Sequence, residues 1–255
     1  VARRDIIRVG AVADLHYTTA SQGVLKPLFQ RASQAVDVLL LAGDLTDLGK
    51  PEEAKVLAQD LSAFGRLPLI AVLGNHDFEA GKQDEVTAVL REAGVTVLDG
   101  DACEVRGVGV GGCKGFIGGF GRGTLEPWGE DGVKRLVNEA VAEAIKLERA
   151  LGRLRTPQRI ALLHYAPVRD TVIGEPEEIF AFMGCSRLEE PLHRYQVRAA
   201  FHGHAHRGAA HGKTGKGIPV FNVALPLLRR ESPDGLPLRI LEVDVVPVEK
   251  PVAVA

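Results

Sequence analysis

Five short, almost wholly apolar runs constrain this chain more than any other feature: IIRVGAVA (6–13), DVLLLAG (37–43), PLIAVLG (68–74), RIALLH (159–164) and RAAFHG (198–203). Runs of this length and composition read as strands covered on both faces. Helical patterns lie between them, at Glu52–Phe64, Asp84–Glu92 and, most clearly, Glu130–Leu151. That alternation is the signature of an α/β fold. In the longest pattern, Val133, Leu136, Val137, Ala140, Val141, Ala144, Ile145 and Leu151 recur at helical spacing, opposite Lys134, Glu139, Glu143 and Lys146. The stripe predicts packing on a sheet rather than a partner-binding face. Two later strands, GIPVFNVAL (217–225) and PLRILEVDVV (237–246), flank a Ser-Pro-Asp-Gly turn. No repeat, low-complexity block or linker divides the chain, which reads as one domain, 1–255, with a loose tail at 247–255.

Composition narrows the function classes. The net charge of -2 gives no global attraction to nucleic acid or anionic lipid. No apolar run is long enough to cross a bilayer, and Asp5 and Arg8 interrupt any signal-like core near the start. Cys103, Cys113 and Cys185 have no paired spacing, so reduced thiols in a cytoplasmic protein are expected.

Two familiar motifs do not survive inspection. Gly107-Val-Gly109-Val-Gly-Gly112 matches G-x-G-x-x-G, but CKGFIGGFGRG follows where a dinucleotide-binding helix has to begin. The stretch reads as a glycine-rich loop. Gly212-Lys213-Thr214 resembles the end of a P-loop, yet the position of its first glycine is Arg207. It reads as a hairpin connection.

The strand ends carry the chemistry. The first run is followed by Asp14 and His16, the second by Asp44, and the third by Asn75, His76 and Asp77. The fourth ends in His164, and the fifth leads into His202, His204 and His206. Singly, Asp14 could cap a helix, Asp44 or Asn75 could shape a turn, and His164 could be a satisfied buried residue. Together, at the carboxyl ends of strands in an open α/β sheet, they can converge on one crevice. Oxygen and imidazole donors without thiolate suit Mn²⁺, Fe or Zn²⁺.

The ordered set D-x-H, G-D, G-N-H-D, a lone H and G-H-x-H resembles the calcineurin-like metallophosphoesterase superfamily, from Asp14 to His206. The GGCKGFIGGFG and HYAPVRDTVIGEPEEI segments resemble a bacterial branch of unspecified substrate. The resemblance implies a four-layer α/β/β/α sandwich of two mixed β-sheets flanked by helices. It implies that Asp14, His16 and His206 hold one divalent metal ion, that Asn75, His164 and His204 hold a second, and that Asp44 bridges them. Mn²⁺ is the favoured ion. A carboxylate bridge suits cations roughly 3.5–4 Å apart. Two such cations, the Asp14 and Asp44 carboxylates and a hydroxide leave the site at about +1, attractive to phosphate. The implied activity is hydrolysis of a phosphodiester or phosphomonoester by that hydroxide, with His76 as general acid and Asp77 orienting its imidazole.

A small, accessible substrate such as a nucleotide is expected, since no large extra domain or basic platform for nucleic acid is visible. Lipid-sugar pyrophosphatases of this fold usually carry arginine at the position of His76, which disfavours that substrate. Lys114, Arg122, Tyr165 and Arg169 are open candidates for phosphate contact, although a solvated hairpin loop is the plainer reading of 107–123. Trp128 is expected to pack, and His202 to be a strand-end residue. The alternative from another class is a non-catalytic, protein-binding scaffold, disfavoured because all seven implied ligands and His76 are present.

Overall fold

In the computed structural model, which describes residues 5–245, the apolar runs form two sheets that share one core. The chain begins with β1 (Asp5–Val12), α1 (Lys26–Ala35), β2 (Val38–Ala42), α2 (Pro51–Leu61), β3 (Leu69–Val72), α3 (Gln83–Glu92) and β4 (Val95–Val97). A hairpin of β5 (Asp101–Val105) and β6 (Val108–Gly112) leads to the long helix α4 (Asp131–Gly152) and then β7 (Arg159–Leu162). Short helices α5 (Phe180–Met183) and α6 (Glu189–Arg194) precede β8 (Ala199–His202). The last elements are β9 (His211–Lys213), β10 (Pro219–Asn222), α7 (Leu225–Glu231) and β11 (Arg239–Val245).

The first sheet has the order β11-β1-β2-β3-β4 and is parallel except for β11. The second has the order β5-β6-β7-β8-β10-β9, parallel inside with an antiparallel strand at each edge. Strand alternation divides the second sheet between two cores. Ile160, Leu162 and Phe201 face the first sheet, while Ala161, Leu163 and Ala200 pack with Leu147 and Leu151 of α4 and Leu192 of α6. On the far side of the first sheet, Phe29, Leu57, Leu61, Val86 and Leu90 of α1, α2 and α3 join the shared core. The expected four-layer sandwich is what forms.

Several local expectations are corrected. The glycines at 107–112 belong mostly to β6, a fully buried strand and not a loop. Its Val108 and Val110 face the inter-sheet core. On the opposite face, a Cβ at Gly109 would meet Leu154 at 2.9 Å, and one at Gly111 would meet Leu151 at 3.0 Å. The glycines therefore seat the end of α4 against the sheet. In α4 itself the apolar stripe is only partly inward: Val137, Ala140, Leu147 and Leu151 are buried, but Val141 and Ile145 are exposed. Glu143, assigned to the polar face, is 1% exposed. Trp128, expected to pack, is 64% exposed. The 217–225 strand ends at Asn222 and turns into α7, and α1 is a helix not among those expected from the sequence. The expected loose tail at 247–255 lies outside the described residues. Among the described residues no helix is long and apolar enough to cross a membrane.

Candidate metal centre

The strand ends meet at one edge of the sandwich, and the backbone there is unusual. Six described non-glycine residues have positive φ, and four of them are Asp14 (57°), His16 (45°), Asp44 (48°) and His204 (69°). Left-handed backbone at such residues costs about 1–3 kcal/mol each and persists only where surrounding contacts enforce it. Here Asp14 N–H donates to the Gly43 carbonyl at 3.0 Å and His16 N–H to the Asp44 carbonyl at 3.0 Å. The His204 N–H donates to the Asp14 carboxylate at 3.0 Å, tying the first strand end to the last.

Two donor sets result. Asp14, His16 and His206 form one and Asp44, His164 and His204 the other, each with its ligand atoms within 4.8 Å of one another. Asn75 joins the second set, its Oδ1 2.9 Å from His164 Nε2. Asp44 stands between the sets, with Oδ2 3.8 Å from His16 Nε2 and Oδ1 3.3 Å from His164 Nε2. All seven residues read from the sequence are thus brought together. Tautomers follow from the carbonyls nearby, since a carbonyl only accepts. His164 Nδ1–H donates to the Ala42 carbonyl at 3.0 Å, which leaves Nε2 facing Asp44. His204 Nε2–H donates to the Phe182 carbonyl at 3.1 Å. Such partners fix the orientation of ligating imidazoles.

Space is as restricted as the backbone. A Cβ at Gly74 would lie 2.2 Å from Asp44 Oδ1, and one at Gly203 would lie 2.5 Å from Asp14 Oδ2. Gly203 makes room for the Asp14 carboxylate, and the positive φ is carried by His204 beside it.

The electrostatics are those of crowded donors. Burial pushes the Asp44 carboxyl up, but His164 and His76 together hold the group well below the usual carboxylate range. Burial likewise opposes protonation of His164, and Asp44 beside it raises it to about 9. Burial and then His164 push His204 down to about 4. His16 Nε2 is buried with no hydrogen-bond partner among the described residues. An orphaned buried nitrogen is costly unless something binds it. That atom, with carboxylates and imidazoles converging on it, fits a divalent cation.

His76 lies in a 3₁₀ turn (His76–Phe78) that follows Asn75. Its backbone N–H donates to Asp44 Oδ1 at 2.9 Å, and its Nδ1–H donates to the Asp47 carbonyl at 2.7 Å. The expectation that Asp77 orients this ring is not met. The Asp77 carboxylate is fully buried on the other side of the turn, accepting from Gly74 N–H, Leu45 N–H, Thr46 N–H and the Thr46 hydroxyl. It braces the loops that carry Asp44 and Asn75. Asp47, missed in the sequence, takes the orienting place: its Oδ1 is 3.3 Å from His16 Nδ1, and the His16 and His76 rings lie 4.5 Å apart. Its only signal was an acid three residues after Asp44.

The open candidates separate. The Tyr165 ring packs 4.6 Å from that of His204, and Lys114 Nζ lies 5.3 Å from the Tyr165 ring. Arg122 and Arg169 instead line a groove of about 600 Å³ with Asp170 and Lys213. Arg169 pairs there with Glu177 at 3.3 Å. His202 is fully buried, meets Thr171 Oγ1 at 2.7 Å, and is pushed down to about 4 by burial.

An α/β sandwich thus gathers carboxylates and imidazoles at its strand ends into groups that could hold metal ions. The calcineurin-like phosphoesterase family profile matches residues 7–208, and the chain belongs to that family. It therefore stands among metal-dependent phosphoesterases. No curated protein sequence matches it. Among solved structures it is similar to a phosphopantetheinyl hydrolase from Mycobacterium tuberculosis, at 17% identity over 94% of this chain and 96% of that one, with a TM-score of 0.63. It is similar to a protein from Thermus thermophilus at 16% identity over 94% and 99%, with a TM-score of 0.54. A purple acid phosphatase from yellow lupin seeds gives 14% identity and a TM-score of 0.56 over 87% of this chain and 44% of that one. At these identities the likeness shows the fold.

Proposed function

We propose that this chain hydrolyses the phosphodiester or phosphomonoester of a small, accessible substrate such as a nucleotide, using two divalent cations. Asp14, His16 and His206 hold one cation, Asn75, His164 and His204 the other, and Asp44 bridges them. The observation that carries the reading is Asp44, whose two oxygens face one imidazole of each set at 3.8 and 3.3 Å. Cations bound there supply positive charge for the phosphoryl oxygens and a water of lowered pKa.

The chain's own residues supply orientation and a proton. With Nδ1–H committed to the Asp47 carbonyl, Nε2 is the atom of His76 that exchanges a proton with solvent and substrate. It gives that proton to the leaving oxygen, which an alkoxide leaving group needs most. Asp47 positions the His16 and His76 rings, and Asp77 fixes the loops beneath them.

Metal analysis of the purified chain, with bis-p-nitrophenyl phosphate hydrolysis measured with and without Mn²⁺, tests the reading. Two bound cations per chain and Mn²⁺-dependent hydrolysis are expected. Bound cations with no turnover on any member of a phosphoester panel would favour a protein-binding scaffold instead.

A further inference from the structure

A second cavity lies beside the metal centre and has chemistry of its own. It encloses about 290 Å³ between the loop Leu73–Phe78, the start of α3 and the segment that follows β6. Leu73, Phe78, Val97 and Leu98 give it apolar walls, and Gln83 and Lys114 give it polar ones. Leu73 and Phe78 bracket Asn75 and His76, so the cavity and the candidate centre share one loop.

Both polar groups are incompletely used. Gln83 Oε1 is buried and has no hydrogen-bond partner among the described residues. An acceptor in that state loses its hydration without compensation. Lys114 Nζ donates to the Gly115 carbonyl at 3.0 Å and sits among the rings of Phe78, Phe116 and Tyr165 at 5.4, 4.8 and 5.3 Å. It makes no ion pair among the described residues, because Glu143 nearby is engaged by the Gly115 N–H and Lys146. An ammonium has three donors, so Lys114 retains donors for a ligand. Asp84 and Asp99 offset Lys114 and Arg91 around the walls, which suits an uncharged ligand better than a second phosphate.

We propose that this cavity holds the organic part of the substrate, a planar uncharged group carrying an N–H donor for Gln83 Oε1 and a carbonyl-type acceptor for Lys114. A nucleobase and a secondary amide are the two forms of that chemistry. The partly exposed Phe78 ring offers the stacking face. Small-molecule sites of this kind combine apolar walls with a few placed polar groups. The assignment of the occupant as substrate rests on the phosphoesterase reading of the neighbouring centre; the recognition chemistry of the cavity does not.

The test uses the full chain stripped of metal and two phosphate-free probes, uridine and N-acetylethanolamine, titrated by calorimetry or ligand-observed NMR. At least one probe binds the wild-type protein. Gln83→Leu and Lys114→Met each weaken that binding about tenfold, as expected for one hydrogen bond to a buried group. Melting curves of both variants establish that they fold, and either folded variant suffices. Binding of uridine alone identifies a base site and binding of the amide alone an amide site, and each supports the proposal. Absence of binding by both probes, or unchanged affinity in the folded variants, overturns it. Probe binding in a protein whose metal-loaded form cleaves no phosphoester keeps the cavity as a ligand site and removes the phosphoesterase reading.

Discussion

The two sheets deliver their ligands to the centre by different means. In the first, Asp14, His16 and Asp44 stand directly beyond strand ends in left-handed backbone, over the core that both sheets share. In the second, His204 beyond β8 is also left-handed, but His164 leaves β7 without positive φ and is placed by contacts from other segments. Its N–H donates to the Lys114 carbonyl at 3.0 Å and its ring to the Ala42 carbonyl of the first sheet. The first sheet's share of the centre rests mainly on backbone strain and the second sheet's mainly on packing of loops, with His204 the strained exception. Local strain is tolerated where the surroundings over-determine it. Substitutions on the first side are therefore expected to abolish the centre, and those on the second to loosen it.

Asp44→Asn strikes the comparison hardest, because the Asp44 carboxylate faces an imidazole of each donor set. Turnover is expected to fall about 1000-fold or more, the upper scale for loss of a main electrostatic group. Metal content measured on the folded variant should fall below two ions per chain. Full occupancy with wild-type turnover would remove Asp44 from the bridging position. His76→Asn comes next. It should retain its metals and lose about 100-fold or more on an alkyl phosphodiester, with a smaller loss on p-nitrophenyl esters, whose leaving group needs no proton. Equal losses on both ester types would make His76 a phosphate contact and not an acid.

Gly74→Ala tests the rigidity of the first side without altering any ligand. The added methyl would lie 2.2 Å from Asp44 Oδ1 and 2.3 Å from the Asp44 backbone nitrogen, and neither belongs to a flexible side-chain end. Overpacking of this kind is expected to destabilise the protein by about 1–3 kcal/mol. Denaturant unfolding of the metal-free protein measures it. A variant as stable as wild type would show that this side yields as readily as the other.

The sequence made the apolar strands and the polar groups at their ends legible because both are local: a buried parallel strand is a continuous apolar run, and its end is marked by the residue that follows. What it hid was placed by tertiary contact. The glycines of β6 resemble a loop until Leu151 and Leu154 of the α4 region are seen to occupy their missing side chains. Glu143 looks solvated on a helical wheel and is buried because the Gly115 N–H and Lys146 satisfy it. Asp47 takes the part expected of Asp77 because the 3₁₀ turn sends the Asp77 carboxylate under the loop and leaves His76 beside Asp47. Adjacency in sequence carried no information about which acid the imidazole meets.

Glu143 also provides the smallest and most discriminating test of the second side. Its Oε2 accepts from the Gly115 N–H at 2.8 Å and its Oε1 from Lys146 Nζ at 2.7 Å. The segment it anchors presents the Lys114 carbonyl to the His164 and Tyr165 N–H groups. Glu143→Gln keeps an acceptor for Gly115 and turns an amide N–H donor toward partly exposed Lys146, so the Lys146 contact is lost and a cost of about 1 kcal/mol is expected. That corresponds to a fall in Tm of about 2–4 °C. Turnover should change by no more than about threefold, since His164 retains its Asp44 and Ala42 contacts. Glu143→Leu leaves the buried Gly115 N–H unpaired and should cost about 1–3 kcal/mol. If Glu143→Gln instead lowers turnover as far as His76→Asn while Tm holds, the second side is as tightly coupled to the chemistry as the first. The division between a strain-set and a contact-set half of the centre would then be lost.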